Sequence, residues 1–496
     1  MHKQFLAMLA LGLVLGFQFG CGGSSGGSTP PPSGSTGTVA LYGGDVPACG
    51  ITSLNMTFTG ITLTPSTGGT PVSILSSGQS LTVDFASLMD SNAPLALASV
   101  AAGTYSQLNL TLSGAQLTYW NSTTSAPTTL TATLPSLSIA LSLSPTVTVA
   151  STTPTALALD LNMLSSILVD TSSQVTGSVN PQFTLTQTAV GDNGFASIED
   201  LRGVVSSVTT SSTQSAYTGS LVLAPATGPN LTVYVSSSTT YAGVTSLSGL
   251  TSGTFVQIAG TIDSKGNLLA SAVQAEEAEN ASNGQAAFRG VVTSVTRSSG
   301  SATQFKLLVQ EEIPDVHTLV PLQSVVTFTI ASSSTTFGIA SQAQSRNADF
   351  PNYIFSFGAE QVGVGQLLVV HGQVPTSGSS PVTGQARAIY FGEQPILGTL
   401  QTGGTTPLVV NGANSKIGGF GLTPCSGIYP TVFTAITGAD TTFTGLTDLN
   451  SLRTAGTPLL LLKGVFLYQQ SPGTVNSVTW VPPTSLQFVT GVHQLQ

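Results

Sequence analysis

Residue types able to do chemistry are scarce in this 496-residue chain and lie far apart. Beyond His2 the histidines are His317, His371 and His493, and none has a partner at the spacing a zinc site uses. His371 stands where Ala259 and Lys463 stand in two related segments, so a solvated side chain is expected there. Glu311-Glu312-Ile313-Pro314-Asp315-Val316-His317 groups three acids and a histidine, the oxygen-rich composition that suits a divalent cation, although a solvated loop is the plainer expectation. Asp263-Ser264-Lys265-Gly266-Asn267 has the residues of a hairpin turn, not of a calcium loop. Gly22-Gly23-Ser24-Ser25-Gly26 matches the hydrolase nucleophile pattern in letters only, without the strand and helix that the chemistry needs. Tyr119-Trp120 offers aromatic faces on which a sugar ring could stack, but adjacent strand residues point opposite ways and one of the pair belongs in a core. No catalytic constellation emerges, and the expectation is a non-enzyme without a metal or other cofactor.

Charged residues make up only 6% of the chain, whose formal net charge is −9. An acidic chain with no basic stripe is poorly suited to phosphate backbones, where affinity rests on Lys and Arg, so nucleic acid is not an expected partner. Strong helix formers such as Glu, Lys and Arg are few, while Thr and Val are plentiful, which points to an all-β protein. Its length implies several hydrophobic cores.

At the N-terminus, Lys3 precedes an apolar run over residues 5–17, and Gly20 precedes Cys21, the layout of a targeting segment too short to span a membrane stably. This resembles a bacterial lipoprotein signal occupying residues 1–20. The resemblance implies lipid attachment at Cys21 and, with Gly22 following, delivery to the outer membrane; an ordinary secretory signal cut nearby is the alternative. Residues 21–37 read as a Gly/Ser/Pro-rich tether with a reach of about 20 to 25 Å. The expected location is the bacterial cell envelope, with a lipid anchor in the membrane. Two further cysteines, Cys49 and Cys425, fall in the first and last folded regions. They either form a disulfide that closes the chain end on end or remain separate thiols.

From residue 38 the chain alternates like strands. Met56 and Phe58 share one face, as do Leu108, Leu110 and Leu112, and Gly43-Gly44-Asp45, residues 65–69 and Ala102-Gly103 read as turns or loops. Many short strands with polar turns predict a β-sandwich over residues 38–190. Asp45-Val46-Pro47, the segment 54–63 with Gly60 inside it, Val83-Asp84-Phe85 and Ala102-Gly103-Thr104-Tyr105 together resemble the domain of unknown function 4382 of bacterial and archaeal envelope proteins. That resemblance carries no assigned chemistry.

The rest of the chain is a threefold repeat. Leu201-Arg202-Gly203-Val204-Val205 returns as Phe288-Arg289-Gly290-Val291-Val292 and more weakly as Ile396-Leu397-Gly398-Thr399-Leu400. A polar marker follows in each copy, at Ser238-Thr239-Thr240, Ser334-Thr335-Thr336 and Asp440-Thr441-Thr442, read as a turn. A strand then ends on Gly260, Gly372 or Gly464. Final strands are expected over 268–273, 383–389 and near 478–480. The repeats, 199–279, 286–394 and 395–496, are domain-sized, so each can bury its own core as a module in a string. Glu276, Glu277 and Glu279 mark a charged linker between the first two. Short strands with glycines at bends predict small OB-like β-barrels, and the repeats resemble the domain of unknown function 5666 of bacterial secreted proteins. The second repeat carries a surplus over residues 338–360 that includes Phe350, Tyr353, Phe355 and Phe357. Such an insertion is a candidate binding loop, or an extra hairpin packed on a neighbour.

These readings lead to a non-catalytic envelope lipoprotein that binds glycan or protein at the surface. The alternative is a structural or assembly scaffold whose partners are the membrane and other envelope proteins.

Overall fold

The computed structural model describes residues 34–496 apart from 47, 89–92, 172–173, 189–196, 213, 226–229, 276–282, 314–319, 340–356, 376–380, 402–417, 430–431, 449–450, 453–457, 469–472, 476–477, 481–484 and 496. Cys21 and the acids at 276, 277 and 279 lie outside the described residues. The body from Thr36 to Gln496 is one compact unit.

Its first part is a sandwich of two sheets. One has the order Phe183–Thr188, Thr155–Asn162, Thr36–Val46, Ala93–Ala101, with the middle two strands parallel. In the other, Ile51–Pro65 pairs with Gly103–Asn121 along most of its length, and shorter strands extend both sides. Alternation along Ile51–Pro65 places Leu54, Met56 and Phe58 in the core, and a register shift between Phe58 and Gly60 moves the buried set to Ile61 and Leu63. Leu108, Leu110 and Leu112 face them from the neighbouring strand. The expected turn at Gly43-Gly44-Asp45 is instead the end of strand Thr36–Val46, paired with Leu159, Asp160 and Leu161. Gly43 is needed there for close approach, because a Cβ would lie 2.9 to 3.1 Å from Leu95 and Leu88.

Each repeat forms a five-stranded ring. In the first, Ser197–Thr209, Gly219–Ala224, Leu231–Ala242, Leu268–Ala275 and Phe255–Ile262 close in that order, so chain order one, two, three, five, four returns to one. Strands three and five run parallel, as in an OB-fold. The third repeat closes identically through Glu393–Leu400, Gly418–Pro424, Phe433–Thr444, Ser485–Leu495 and Leu459–Tyr468. Its fifth strand is therefore Ser485–Leu495, and the segment expected in that role, Val478–Trp480, belongs to a small hairpin with Gly473–Val475. In the second repeat, strand three is broken into Val325–Ile330 and Thr336–Ile339, both paired in parallel with Thr383–Phe391.

The shared motifs follow from this topology. A Cβ on Gly203, Gly290 or Gly398 would run into the carbonyl oxygen of Ala224, Leu308 or Thr423 on strand two, so the backbones of strands one and two approach too closely there for any side chain. In the first repeat the polar marker is not a turn but part of strand three, whereas in the second Ser334 closes a turn, its N–H donating to Ala331 O at 3.1 Å, before strand Thr336–Ile339 begins. In the first repeat the pairing of strand three shifts register between Val235 and Thr240, and there Thr239 Oγ1 donates to Ala270 O at 2.7 Å and accepts from Ser236 N at 2.9 Å. Thr335 repeats the pattern, donating to Ala386 O at 2.8 Å and accepting from Ala331 N at 3.0 Å. Both threonines are buried, and each satisfies backbone groups that the interrupted parallel pairing leaves over.

Candidate functional site

The residues with distinctive chemistry gather where the modules meet. Between the sandwich and the first repeat, Ala40, Tyr42 and Ala156 leave the sandwich core and join the apolar cluster of the barrel. They can do so because alternation turns them away from Val39, Leu41 and Leu157, which face inward. The turn Asp263–Asn267 forms as expected, with Asp263 Oδ1 accepting from Lys265 N at 2.8 Å and Asn267 N at 2.9 Å. Gly266, at φ +80°, meets Thr38 so closely that a Cβ would lie 2.5 Å from it. Tyr217 donates its hydroxyl hydrogen to Asp263, and burial first, then that bond, pushes the phenol up to about 12.

Between the first and second repeats, the arginines of the repeated motif converge. Arg202 pairs with Glu311, and Arg289 stands 3.9 Å from the same carboxylate. Glu311 and Glu312 are strand residues, not part of a solvated loop: Ser301–Ile313 carries both, and Glu312 is 2% exposed. The remainder of the proposed cation loop, with Asp315 and His317, lies outside the described residues. With Arg202 and Glu311 both largely screened from solvent, Glu311→Gln is expected to cost about 1 to 2 kcal/mol. A double-mutant cycle with Arg202→Met measures it, and a coupling energy near zero would mean that other contacts hold this junction.

Between the second and third repeats, two fully buried glutamines form a polar seam. Gln366 Nε2 donates to Gln361 O at 2.7 Å and to Phe466 O at 3.2 Å, while its Oε1 accepts from Gly363 N at 2.6 Å. Gln394 accepts from Leu367 N at 2.6 Å and donates to Gly365 O at 2.7 Å. Ile436, Val465 and Leu467 of the third repeat join the core of the second. Arg297 donates to Gly300 O at 2.8 Å and to Val362 O, and lies 4.6 Å from the ring centre of Tyr468. None of these roles was legible in the sequence, because a glutamine or arginine carries no local signal of a partner 29 to 100 residues away.

Finally, the third repeat returns to the sandwich. Cys49 and Cys425 are joined in a disulfide with their Cα atoms 5.3 Å apart. Beside it, half-buried Trp120 packs with Val291, Leu367 and Ile428, and its indole faces Gly427 at 3.7 to 3.8 Å from where a Cβ would stand. Tyr119 packs on the sandwich core. Both residues of the proposed sugar platform are thus half-buried against protein.

Other sequence-based candidates are redistributed as well. His371 is buried at 7% exposure, edge-on to Tyr390 with centroids 5.3 Å apart, which corrects the expected solvated position. Its strand is flanked on both sides, by Ala287 and Ala388, and Tyr390 covers its outer face. Of the insertion's aromatics, Phe350, Tyr353 and Phe355 lie outside the described residues, while Phe357 packs against Phe391 at 5.7 Å and joins the core of its own repeat. Among the described residues, no group of three or more His, Cys, Asp or Glu is placed to hold a metal ion.

One further cluster lies inside the sandwich. Asp84 accepts from Leu54 N at 2.8 Å and Ala86 N at 3.2 Å, and burial raises its pKa despite those bonds. Asp45 is 7% exposed, and neither carboxyl oxygen accepts a hydrogen bond of normal geometry. Burial, then the charges of Asp160 and Asp84, push it up to about 9, partly opposed by the Met163 amide. Asp160 is also raised by burial.

Sandwich, barrels and junctions define a modular all-β protein whose unusual polar residues serve its internal contacts. Residues 36–178 match the Domain of unknown function (DUF4382), and residues 202–274 match the Domain of unknown function (DUF5666). No curated protein matches the chain. Among solved structures, the chain aligns with drosophila Unr CSD456 at 11% identity, over 62% of this chain and 99% of that one, with a TM-score of 0.14. At that score the alignment carries no argument.

Proposed function

We propose that this protein is a non-catalytic structural scaffold of the bacterial envelope, held to the outer membrane by a lipid on Cys21. The observation that carries this reading is the closed arrangement of modules: each packs on the next through buried or half-buried side chains, and a disulfide joins the last to the first. Such an arrangement resists reorientation, which suits a spacer or docking body more than a flexible string of binding domains. The disulfide also fits an oxidising compartment outside the cytoplasm. Glycan adhesion is the weaker reading, because Trp120 and Phe357, its aromatic candidates among the described residues, are packed against protein. An acidic chain gives no support to a nucleic-acid role.

The test is a deletion strain complemented with the wild type or with Cys21→Ala. The wild type is expected in the membrane fraction and restores the envelope's resistance to detergent, while Cys21→Ala is expected in the soluble fraction and fails to restore it. Membrane fractionation of Cys21→Ala would sink the anchor. A deletion strain with an intact detergent barrier and no crosslinked envelope partner would sink the scaffold.

A further inference from the structure

Modules adjacent in sequence are held together by connecting backbone as well as by their interface. The sandwich and the third repeat are not adjacent, and 376 residues separate the two cysteines that join them. The apolar cluster beside this bond is small. Beside the bond, the half-buried Trp120 indole packs with Ile428 and Gly427 of the third repeat and with Val291 and Leu367 of the second, and Ser122 stands beside Gly427. By contrast, the second and third repeats share core residues and the hydrogen bonds of two buried glutamines. Cys49 is exposed in the turn before strand Ile51–Pro65, and Cys425 is half-buried just after strand Gly418–Pro424. Cys49 is therefore the more accessible end of the bond for a thiolate in solution.

We infer that the Cys49–Cys425 disulfide is a reducible clasp, whose opening releases the joined second and third repeats from the Trp120 face of the sandwich and uncovers Trp120 while every module stays folded. The reductant is a dithiol. One of its thiolates attacks Cys49 Sγ, the bond to Cys425 breaks, and Cys425 leaves as a thiolate that takes up a proton. The second thiol of the reductant then displaces Cys49, so two electrons and two protons pass to the protein and the dithiol becomes a disulfide. The modules survive because the sandwich, the first repeat and the third repeat have separate apolar clusters, and the junction between second and third repeats does not involve the clasp. The clasp adds a second state to a scaffold and does not depend on lipid anchoring.

The chain contains two tryptophans, so Trp480→Phe in the full chain leaves Trp120 as the sole reporter. On reduction with dithiothreitol, two new titratable thiols are expected, with a red shift of Trp120 emission and a rise of about twofold in acrylamide quenching, while far-ultraviolet circular dichroism stays constant. Adding Cys49→Ser and Cys425→Ser should give the shifted emission without reductant and abolish the response to it. Two new thiols with unchanged Trp120 emission and quenching would overturn the proposal, since the junction would then hold without its bond. Loss of the β-sheet dichroism on reduction would overturn it equally, because the bond would then be needed for folding and not for closure.

Discussion

Gly290→Val is expected to destabilise the second repeat by about 4 kcal/mol or more, enough to unfold it near room temperature or to prevent its accumulation. The conflict is one of space. The atom that a new Cβ would strike is the carbonyl oxygen of Leu308, part of the paired backbone of strands one and two. Backbone in the middle of a ladder cannot swing aside as the end of a side chain can, so relief requires breaking the pairing itself. Gly290→Ala should cost nearly as much, since the offending atom is the Cβ. Gly300→Ala is the control: Gly300 sits at φ +89° in the hairpin turn with nothing within 4 Å, so its cost is only the left-handed backbone, about 1 to 2 kcal/mol. Thermal unfolding of the full chain, with limited proteolysis to locate the first cleavage, measures both. A Gly290→Ala protein that melts with the wild type and resists cleavage within 286–394 would show that the close approach is not a constraint.

Asp45→Asn is expected to stabilise the protein at neutral and alkaline pH. Asp45 has an ordinary pKa of about 3.9 in the unfolded chain. In the folded sandwich it is held at about 9 by burial and by the charges of Asp160 and Asp84, against the Met163 amide. Between those values the folded state keeps a proton that the unfolded state has lost. The contribution is therefore fully present below about pH 4, declines as pH rises, and levels off above about pH 9. The slope is at most about 1.4 kcal/mol per pH unit, and Asp84 and Asp160, also raised, act in the same direction and remain in the variant. The introduced side-chain amide carries no charge at any pH, so the variant and the wild type should be closest near pH 4 and diverge towards pH 9. Melting temperatures at pH 5 and pH 8 are the measurement; parallel pH dependence in the two proteins would mean that Asp45 is solvated when ionised.

Whatever local periodicity governs could be read along the chain. Alternation in residues 51–65 and 103–121 placed Met56, Phe58, Leu108, Leu110 and Leu112 in one core. The spacing of Gly203, Gly290 and Gly398 marked three copies of one barrel, since the close approach of strands one and two recurs wherever the ring closes in the same way. Local pattern was silent on the choices made between modules. Gly43-Gly44 looks like a turn because glycine is common in turns, yet here it admits leucines from across the sheet. Trp120 and Arg202 look like surface groups until the partners supplied by residues 428 and 311 arrive, and His371 looks solvated until Tyr390 covers it from the adjoining strand. The pairing of Cys49 with Cys425 emerged with the three-dimensional arrangement alone, because the meeting of two loops 376 residues apart depends on how all four modules pack and on no pattern within either loop.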